Sequence, residues 1–176
     1  MRLHVPCAAA IALAVGACAD LTTQPDRPGV GPPGAATVTA SDPQLLVCPT
    51  ADTHIARATI GPEGGWLGVR GASITIPPGA VPSPTAFELI VPASPYMEIE
   101  INAVGADSYT FAQPATVTIN YARCPDDAAP PGALLKGVYI DLVTNQVLAV
   151  MGGQDDKSNH KITFSTGHLS GYAVAY

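Results

Sequence analysis

Residues 74–81 read Ile-Thr-Ile-Pro-Pro-Gly-Ala-Val, and this stretch decides the fold that the sequence predicts. Side chains alternate along a β-strand, so Ile74 and Ile76 face one side and Thr75 faces the other. The two prolines that follow cannot donate backbone hydrogen bonds and therefore end the strand. Gly79 can adopt the positive φ that a tight turn requires. The stretch predicts a buried strand that ends in a rigid corner.

Two later stretches show the same alternation of apolar and polar residues. Thr85–Val91 is predicted to be the next strand, with Phe87 and Leu89 on its buried face. Residues 96–103 alternate strictly, which predicts a half-buried antiparallel strand that carries Glu98 on its solvent face.

The composition of the chain points to the same fold class. Its 176 residues include 17 glycines and 18 prolines, 12 % of them are charged and 47 % are hydrophobic. Because this composition is typical of short strands joined by tight turns, we predict one all-β domain of roughly nine or ten strands. The formal net charge is −6 and no run of basic residues occurs. We therefore expect neither nucleic acid nor an anionic membrane surface as a partner.

The first 17 residues have the pattern of a signal peptide, with a short positive start and an apolar stretch at residues 5–17. That stretch is too short to span a bilayer as a mature helix. Residues 15–18 read Val-Gly-Ala-Cys, which resembles the lipobox of bacterial lipoproteins and predicts lipidation of Cys18. The alternative is ordinary cleavage after Ala17, which would leave Cys18 as a free thiol.

Lipidation of Cys18 would anchor the exported protein to a bacterial membrane. Ala19 follows this cysteine in place of the Asp that retains some lipoproteins at the inner membrane. We therefore predict the outer membrane or the cell surface rather than the inner membrane. The domain boundaries follow from composition: residues 18–50 are rich in Pro and Gly and are predicted to form a tether, and residues 51–176 are predicted to form the folded domain.

The cysteine count predicts one disulfide. Of four cysteines, Cys7 leaves with the signal peptide and Cys18 carries the lipid, so Cys48 and Cys124 remain as a pair. An exported protein meets an oxidising compartment, which permits the bond. Closing a loop of this length stabilises a fold by about 4 kcal/mol in the chain-entropy model. Two buried thiols are the alternative.

Several side chains have both a structural and a functional interpretation. Trp66, the single tryptophan, is predicted to lie in the core, and the alternative is an exposed sugar-binding residue. Glu98 and Glu100 are predicted to lie on a solvated strand face rather than to form a catalytic pair. Asp155 and Asp156 lack the ligand spacing of a calcium loop, so we predict no metal site and no cofactor.

Three stretches together resemble one protein family. They are the turn and strand start Gly64-Gly65-Trp66-Leu67, the corner Pro77-Pro78-Gly79-Ala80, and the ending His168-Leu169-Ser170-Gly171-Tyr172-Ala173-Val174. The sequence from about residue 55 to 176 is similar to the ZU-five domain, the β-sandwich module of ankyrins and netrin receptors, which also has bacterial secreted relatives. The resemblance implies an antiparallel two-sheet β-sandwich, and it does not imply a single function.

The leading functional hypothesis is a membrane-tethered lipoprotein of the bacterial envelope whose β-sandwich is a non-catalytic binding or structural module. The sequence contains no His-Glu-x-x-His, Gly-x-Ser-x-Gly or Cys-x-x-Cys motif and no glycine-rich phosphate loop. Apart from the membrane, the expected partner is an unidentified envelope protein or a glycan. A carbohydrate-binding module is therefore one alternative within this class.

Self-cleavage between Leu169 and Ser170 is the alternative from another class, because some relatives of this family cut themselves at similar triplets. Ser170 Oγ would attack the Leu169 carbonyl while His168 accepts the hydroxyl proton. Gly167 and Gly171 would supply the unusual backbone angles of a strained peptide. The structural interpretation is that His168 and Ser170 hydrogen-bond to a neighbouring loop and hold the final strand. The sequence also has Leu169 where the cleaving members of the family have Phe.

Overall fold

A computed structural model of the chain describes residues 42–176. These residues contain thirteen β-strands and no helix, and every strand pairing is antiparallel. In chain order the strands are β1 (Val47–Thr50), β2 (His54–Ile60), β3 (Gly65–Val69), β4 (Ala72–Ile76), β5 (Thr85–Val91), β6 (Ser94–Tyr96), β7 (Glu98–Ala103), β8 (Thr110–Asn120), β9 (Lys136–Ile140), β10 (Val147–Gly152), β11 (Gln154–Asp156), β12 (Lys161–His168) and β13 (Gly171–Ala175). No helix long and apolar enough to cross a membrane occurs in this part of the chain.

The strands form a six-stranded sheet, a five-stranded sheet and a small pair. The six-stranded sheet has the order β10-β9-β13-β7-β5-β2, the five-stranded sheet has the order β11-β12-β8-β4-β3, and β1 pairs with β6. The predicted all-β, antiparallel β-sandwich is confirmed. The strands outnumber the nine or ten expected because β1, β6 and β11, of three or four residues each, are too short to show an alternating pattern.

The corner at the end of β4 is as predicted. Ile74 and Ile76 are buried, and the strand ends at Ile76, directly before the two prolines. Gly79 has a φ of 80°, and its backbone N–H donates to the Pro62 carbonyl at 2.8 Å. Ala80 is fully buried directly after the turn. The corner therefore ties the turn before β3 to the chain that leads into β5.

The main core lies between the two sheets. Each sheet contributes the apolar residues of its inner face, and the largest buried side chains of this core are those of Tyr172, Phe87, Leu46, Ile74, Ile76, Leu89, Met97, Ile99, Ile101, Ile119 and Ile162. The aromatic rings of Phe87 and Phe111 both pack against Tyr109, with ring centroids 5.3 Å apart in each pair. This core fixes the register of both sheets, because a slip by one residue would turn every apolar side chain outward.

Sheet pairing begins before residue 51. Backbone hydrogen bonds join Gln44 to Tyr176 in both directions at 3.0 Å, and Leu46 N–H donates to the Val174 carbonyl at 2.8 Å. Leu46 is buried. The sandwich thus includes residues that the sequence analysis assigned to the tether. The predicted signal peptide and the lipidation site Cys18 lie outside the described residues.

The predicted disulfide is present. Cys48 of β1 and Cys124, four residues after β8, are bonded, with their Cα atoms 4.8 Å apart. The bond joins two residues that are 76 positions apart in the sequence. It connects β1 to the chain just after β8, the central strand of the five-stranded sheet. It therefore holds the N-terminal segment of the domain in place.

A second, smaller apolar cluster lies on the outer face of the six-stranded sheet. It consists of Val138 and Ile140 of β9 and Ala173 and Ala175 of β13. Glu98 pairs directly with Ala173 and is only 7 % exposed. The prediction that Glu98 faces solvent is wrong, because this cluster excludes water from that part of the outer face. Burial raises the pKa of the Glu98 carboxyl.

Candidate ligand-binding face

Trp66 lies on the outer face of the five-stranded sheet. It belongs to β3, the edge strand of that sheet, and its side chain is 63 % exposed. The neighbouring residue Leu67 points into the core and is buried. Because successive side chains on a strand point to opposite faces, Trp66 must point outward. The prediction that Trp66 belongs to the core is wrong.

Gly68 positions the indole ring of Trp66. The two residues lie on the same face of β3, and a Cβ atom added at Gly68 would stand 2.6 Å from Cη2 of the ring. No side-chain atom fits in this space, so only glycine lets the ring lie against the strand backbone. One side of the indole is thus supported by the sheet, and the other side is open to solvent.

The outer face of the five-stranded sheet is rich in hydroxyl groups. Two rows of paired residues cross it: Trp66, Thr75, Thr116 and Ser165 in one row, and Gly68, Ser73, Thr118 and Thr163 in the other. The hydroxyl oxygens of Thr118 and Thr163 lie 3.2 Å apart. Since neighbouring strands are about 4.8 Å apart, these side chains form a regular polar surface next to the ring.

A hollow of about 400 Å³ adjoins the ring of Trp66. It is lined by polar and charged side chains as well as by the indole, among them Arg70, Ser73, Thr118, Asn120 and Lys161. Arg70 occupies the turn between β3 and β4, and Lys161 begins β12. The combination of an open aromatic ring, hydroxyl groups and two cations is the arrangement on this domain most suited to binding a polar ligand.

A larger hollow of about 730 Å³ lies next to the edge strand β10. Tyr96, Tyr176 and the turn residues Asn145 and Gln146 line it, and so does Asp42. Its residues include no Lys or Arg. We therefore base no function on this hollow.

The triplet at residues 168–170 forms the connection between β12 and β13. The Tyr172 hydroxyl donates to the His168 carbonyl and lies 2.8 Å from the Thr166 hydroxyl. The backbone N–H of Leu169 donates to the backbone carbonyl of Tyr109, and the Ser170 carbonyl accepts a hydrogen bond from the N–H of Ile101. These contacts hold the connection between β12 and β13 against β7, against Tyr109 and against Tyr172.

The side chain of His168 faces Tyr172 rather than Ser170. Its Nδ1 lies 3.5 Å from the Tyr172 hydroxyl, and no hydrogen bond between the imidazole and Ser170 occurs in the described part of the chain. Gly167 and Gly171 both have φ outside the positive region. The geometry therefore contains neither the base contact nor the glycine conformations that we expected for self-cleavage. Burial raises the pKa of the Tyr172 hydroxyl to about 12, so this group remains a hydrogen-bond donor at neutral pH.

The two acidic residues that follow β10, Asp155 and Asp156, accept hydrogen bonds from other side chains of the domain. Asp155 accepts a hydrogen bond from the Tyr121 hydroxyl at 2.5 Å. Asp156, its neighbour on β11, accepts from Ser158 and Asn159, and these hydrogen bonds lower the pKa of Asp156 to about 2. Adjacent residues of a strand point to opposite faces, so the two carboxylates do not converge. No group of three or more side chains suited to a metal ion lies within residues 42–176.

Comparison of the sequence with models of known protein families and with curated proteins found no match. The resemblance to the ZU-five domain carried by Gly64, Gly65, residues 77–80 and the ending therefore stays a prediction.

The sequence analysis did not identify Arg70, Asn120 or Lys161 as candidate ligand-binding residues. They are far apart in the sequence and belong to three different chain segments, and only the strand register brings them together. Once Leu67 is assigned to the core, however, alternation alone places Trp66 and Gly68 together on the outer face. That signal was available in the sequence.

Proposed function

We propose that this protein is a non-catalytic binding module of the bacterial envelope, anchored by lipid at Cys18, and that it binds a glycan on the outer face of the five-stranded sheet. The observation that carries the proposal is the open indole of Trp66, supported by the backbone at Gly68. Membership of the ZU-five family is part of the same proposal, as are the signal peptide and the outer-membrane or cell-surface location.

An exposed indole can bind a sugar because the face of the indole and one face of a pyranose ring are both flat and partly apolar. The C–H groups on one side of a pyranose ring pack against an aromatic ring, while the hydroxyl groups at the edge of the sugar need hydrogen-bond partners. Thr75 and Thr116 lie in the same row as Trp66, and their hydroxyl groups are one and two strands away from the indole. The face thus provides a stacking surface and polar partners side by side.

A catalytic role has less support. Glu98 is buried against Ala173, and the carboxylates of Asp155 and Asp156 accept hydrogen bonds from neighbouring side chains. The hollow beside Trp66 has no carboxylate in its lining. Most glycoside hydrolases use a pair of carboxylates that flank the bond to be cleaved. Binding without cleavage is therefore the function that fits this face.

A glycan array tests the binding proposal. The full chain, purified from membranes in mild detergent, is expected to bind a defined subset of glycans, and Trp66→Ala is expected to lower the affinity about tenfold. Val143→Ala, which truncates a 90 % exposed side chain in the turn between β9 and β10, is the control and should bind as the wild type does. If the wild type binds no glycan, or if Trp66→Ala binds equally well, the proposal is wrong.

The anchor is tested separately, because the lipid and the binding face are independent parts of the proposal. Cys18→Ala should release the protein from the membrane fraction, since a cysteine-linked lipid is the expected attachment. If the variant still partitions with membranes, the lipoprotein assignment is wrong, whatever the glycan array shows.

A further inference from the structure

Positively charged side chains are scarce in the described domain, and three of the six form ion pairs or hydrogen bonds with other protein groups. Residues 42–176 contain the six cations Arg57, Arg70, Arg123, Lys136, Lys157 and Lys161. Arg57 forms an ion pair with Glu88, and the Lys157 ammonium donates to the Ala133 carbonyl at 3.1 Å. Arg123 donates to the hydroxyl of Thr50.

Arg70 and Lys161 differ from these residues. Neither side chain forms an ion pair or a hydrogen bond within the described part of the chain, and both line the hollow beside Trp66, whereas Lys136 lies on β9 of the other sheet. The formal net charge of the protein is −6. The positions of these two cations at one hollow in an acidic protein therefore require an explanation.

The fold fixes the position of both cations. Arg70 and Gly71 form the two-residue turn between β3 and β4, with φ values of 51° and 83°, as tight hairpin turns require. The backbone N–H of Asn120 donates to the Gly71 carbonyl at 3.0 Å, and Lys161 pairs with Asn120 across the β12–β8 ladder. Both cations thus flank Asn120, one on either side.

A third cation adds to the positive charge at this end of the sheet. Arg123 lines a neighbouring hollow together with Arg70 and Asn120. Burial lowers the pKa of the Arg123 guanidinium, and the nearby positive charge of Arg70 lowers it further. The positive charges of Arg70 and Arg123 therefore act at the same end of the sheet, and an anion bound in this hollow would be attracted by both.

The acidic residue next to Lys161 does not neutralise it. Asp156 pairs with Lys161 in the β11–β12 ladder, but the two side chains form no ion pair. The carboxylate of Asp156 accepts hydrogen bonds from Ser158 and Asn159 instead. Lys161 therefore remains available to a ligand.

We propose that the glycan bound on this face is acidic, and that Arg70 and Lys161 bind its anionic groups while Trp66 stacks on an adjacent sugar ring. The inference rests on the proposed function and specifies the ligand class of the same face. Arginine binds a carboxylate, phosphate or sulfate oxygen through paired N–H groups, and lysine acts as a compact positive charge. The amide of Asn120, which also lines the hollow, would bind sugar hydroxyl groups between the two cations.

The test uses glycans in matched pairs, each with and without its charged group. The pairs are a polyuronate and its methyl ester, and a sulfated and a phosphorylated oligosaccharide with their neutral parents. The full chain in detergent should bind the acidic member of at least one pair about tenfold more tightly than the neutral member, and added salt should reduce the difference. Arg70→Gln and Lys161→Gln should each weaken acidic binding about fivefold and weaken binding to the neutral member less, so that the preference for the acidic member falls.

Two controls separate this inference from simpler explanations. Lys136→Gln removes the same charge from β9 of the other sheet and should leave acidic binding unchanged. A single-stranded DNA of similar charge tests for general polyanion binding and should bind at least tenfold more weakly than the acidic glycan. DNA binding of equal strength would overturn the inference.

The outcomes also distinguish the inference from the proposed function. Equal binding of the neutral and acidic members through Trp66 is one contrary result, and Arg70→Gln and Lys161→Gln variants that change neither affinity are another. Either result would refute the inference that the ligand is acidic and would leave the proposal of a glycan-binding face intact. If the wild type binds none of the glycans, both are wrong.

Discussion

The indole ring of Trp66 rests on the backbone at Gly68, where a Cβ atom would lie 2.6 Å from Cη2 of the ring. This relationship keeps the ring open to solvent and aligned with the hydroxyl rows of the sheet. Trp66→Ala would remove both the ring and its orientation, whereas a change at Gly68 alters only the orientation.

Gly68→Ala is expected to displace the ring without removing it. The added methyl group must push the indole off the strand, so glycan affinity should fall about tenfold while the free energy of unfolding changes by about 0.5 kcal/mol or less, as for other surface substitutions. Glycan titration and chemical denaturation measure the two effects. Unchanged affinity in a folded Gly68→Ala variant would show that the orientation of the ring does not matter.

Tyr172→Phe is expected to destabilise the domain by about 1–3 kcal/mol. The Tyr172 hydroxyl is buried and hydrogen-bonds to the His168 carbonyl and the Thr166 hydroxyl, and its removal leaves part of their hydrogen-bonding capacity unfilled. Urea denaturation measures the loss. Tyr139→Phe on β9 is a suitable control because the Tyr139 hydroxyl forms no hydrogen bond within residues 42–176.

The connection at residues 168–170 is expected to remain intact. The imidazole of His168 faces Tyr172 and not Ser170, so the base contact for self-cleavage is missing. Intact mass spectrometry of denatured protein after prolonged incubation should show one uncleaved mass for both the wild type and Ser170→Ala. A fragment that ends at Leu169 in the wild type and is absent in Ser170→Ala would establish self-cleavage.

Glu98→Gln is expected to stabilise the domain at pH 7. Burial raises the pKa of Glu98 in the folded state above its unfolded value of 4.5, so the folded protein binds more protons than the unfolded chain between the two values. The contribution of Glu98 to stability therefore falls as the pH rises through this interval and stays reduced above it. Glutamine cannot ionise, so the Glu98→Gln variant does not lose folding stability in this way as the pH rises.

The pH dependence provides the control for Glu98→Gln. The difference in unfolding free energy between variant and wild type should shrink below pH 4.5, where the carboxyl is protonated in both states. Glu100→Gln, two residues along the same strand, should show a smaller effect because Glu100 is only half-buried. A Glu98→Gln variant that is less stable than the wild type at pH 7 would contradict this account.

The sequence predicted the features that depend on local rules. The strand and corner at residues 74–81 follow from alternation and from the chemistry of Pro and Gly, and the bond between Cys48 and Cys124 follows from counting cysteines. The prediction that Trp66 lies in the core is wrong although it too concerns a local pattern. With Leu67 in the core, period two leaves Trp66 only the outer face.

The remaining errors have non-local causes. Alternation placed Glu98 in solvent because it could not show that Val138 and Ala173 form a second small core on that face. The two cations of the candidate ligand-binding face were not predicted, and the cause is again non-local. Arg70 and Lys161 line the same hollow only because β4, β8 and β12 pair with one another, and the local pattern of none of these strands specifies that pairing.

The fluorescence of Trp66 tests the central claim most directly, because the chain contains a single tryptophan. A side chain that is 63 % exposed should give a red-shifted emission that iodide quenches readily. Titration of the full chain with a glycan that it binds should shift the emission to shorter wavelength and protect the indole from iodide, with the same midpoint as the binding curve. If the glycan binds and both the emission and the quenching of Trp66 stay unchanged, the binding site is elsewhere on the molecule.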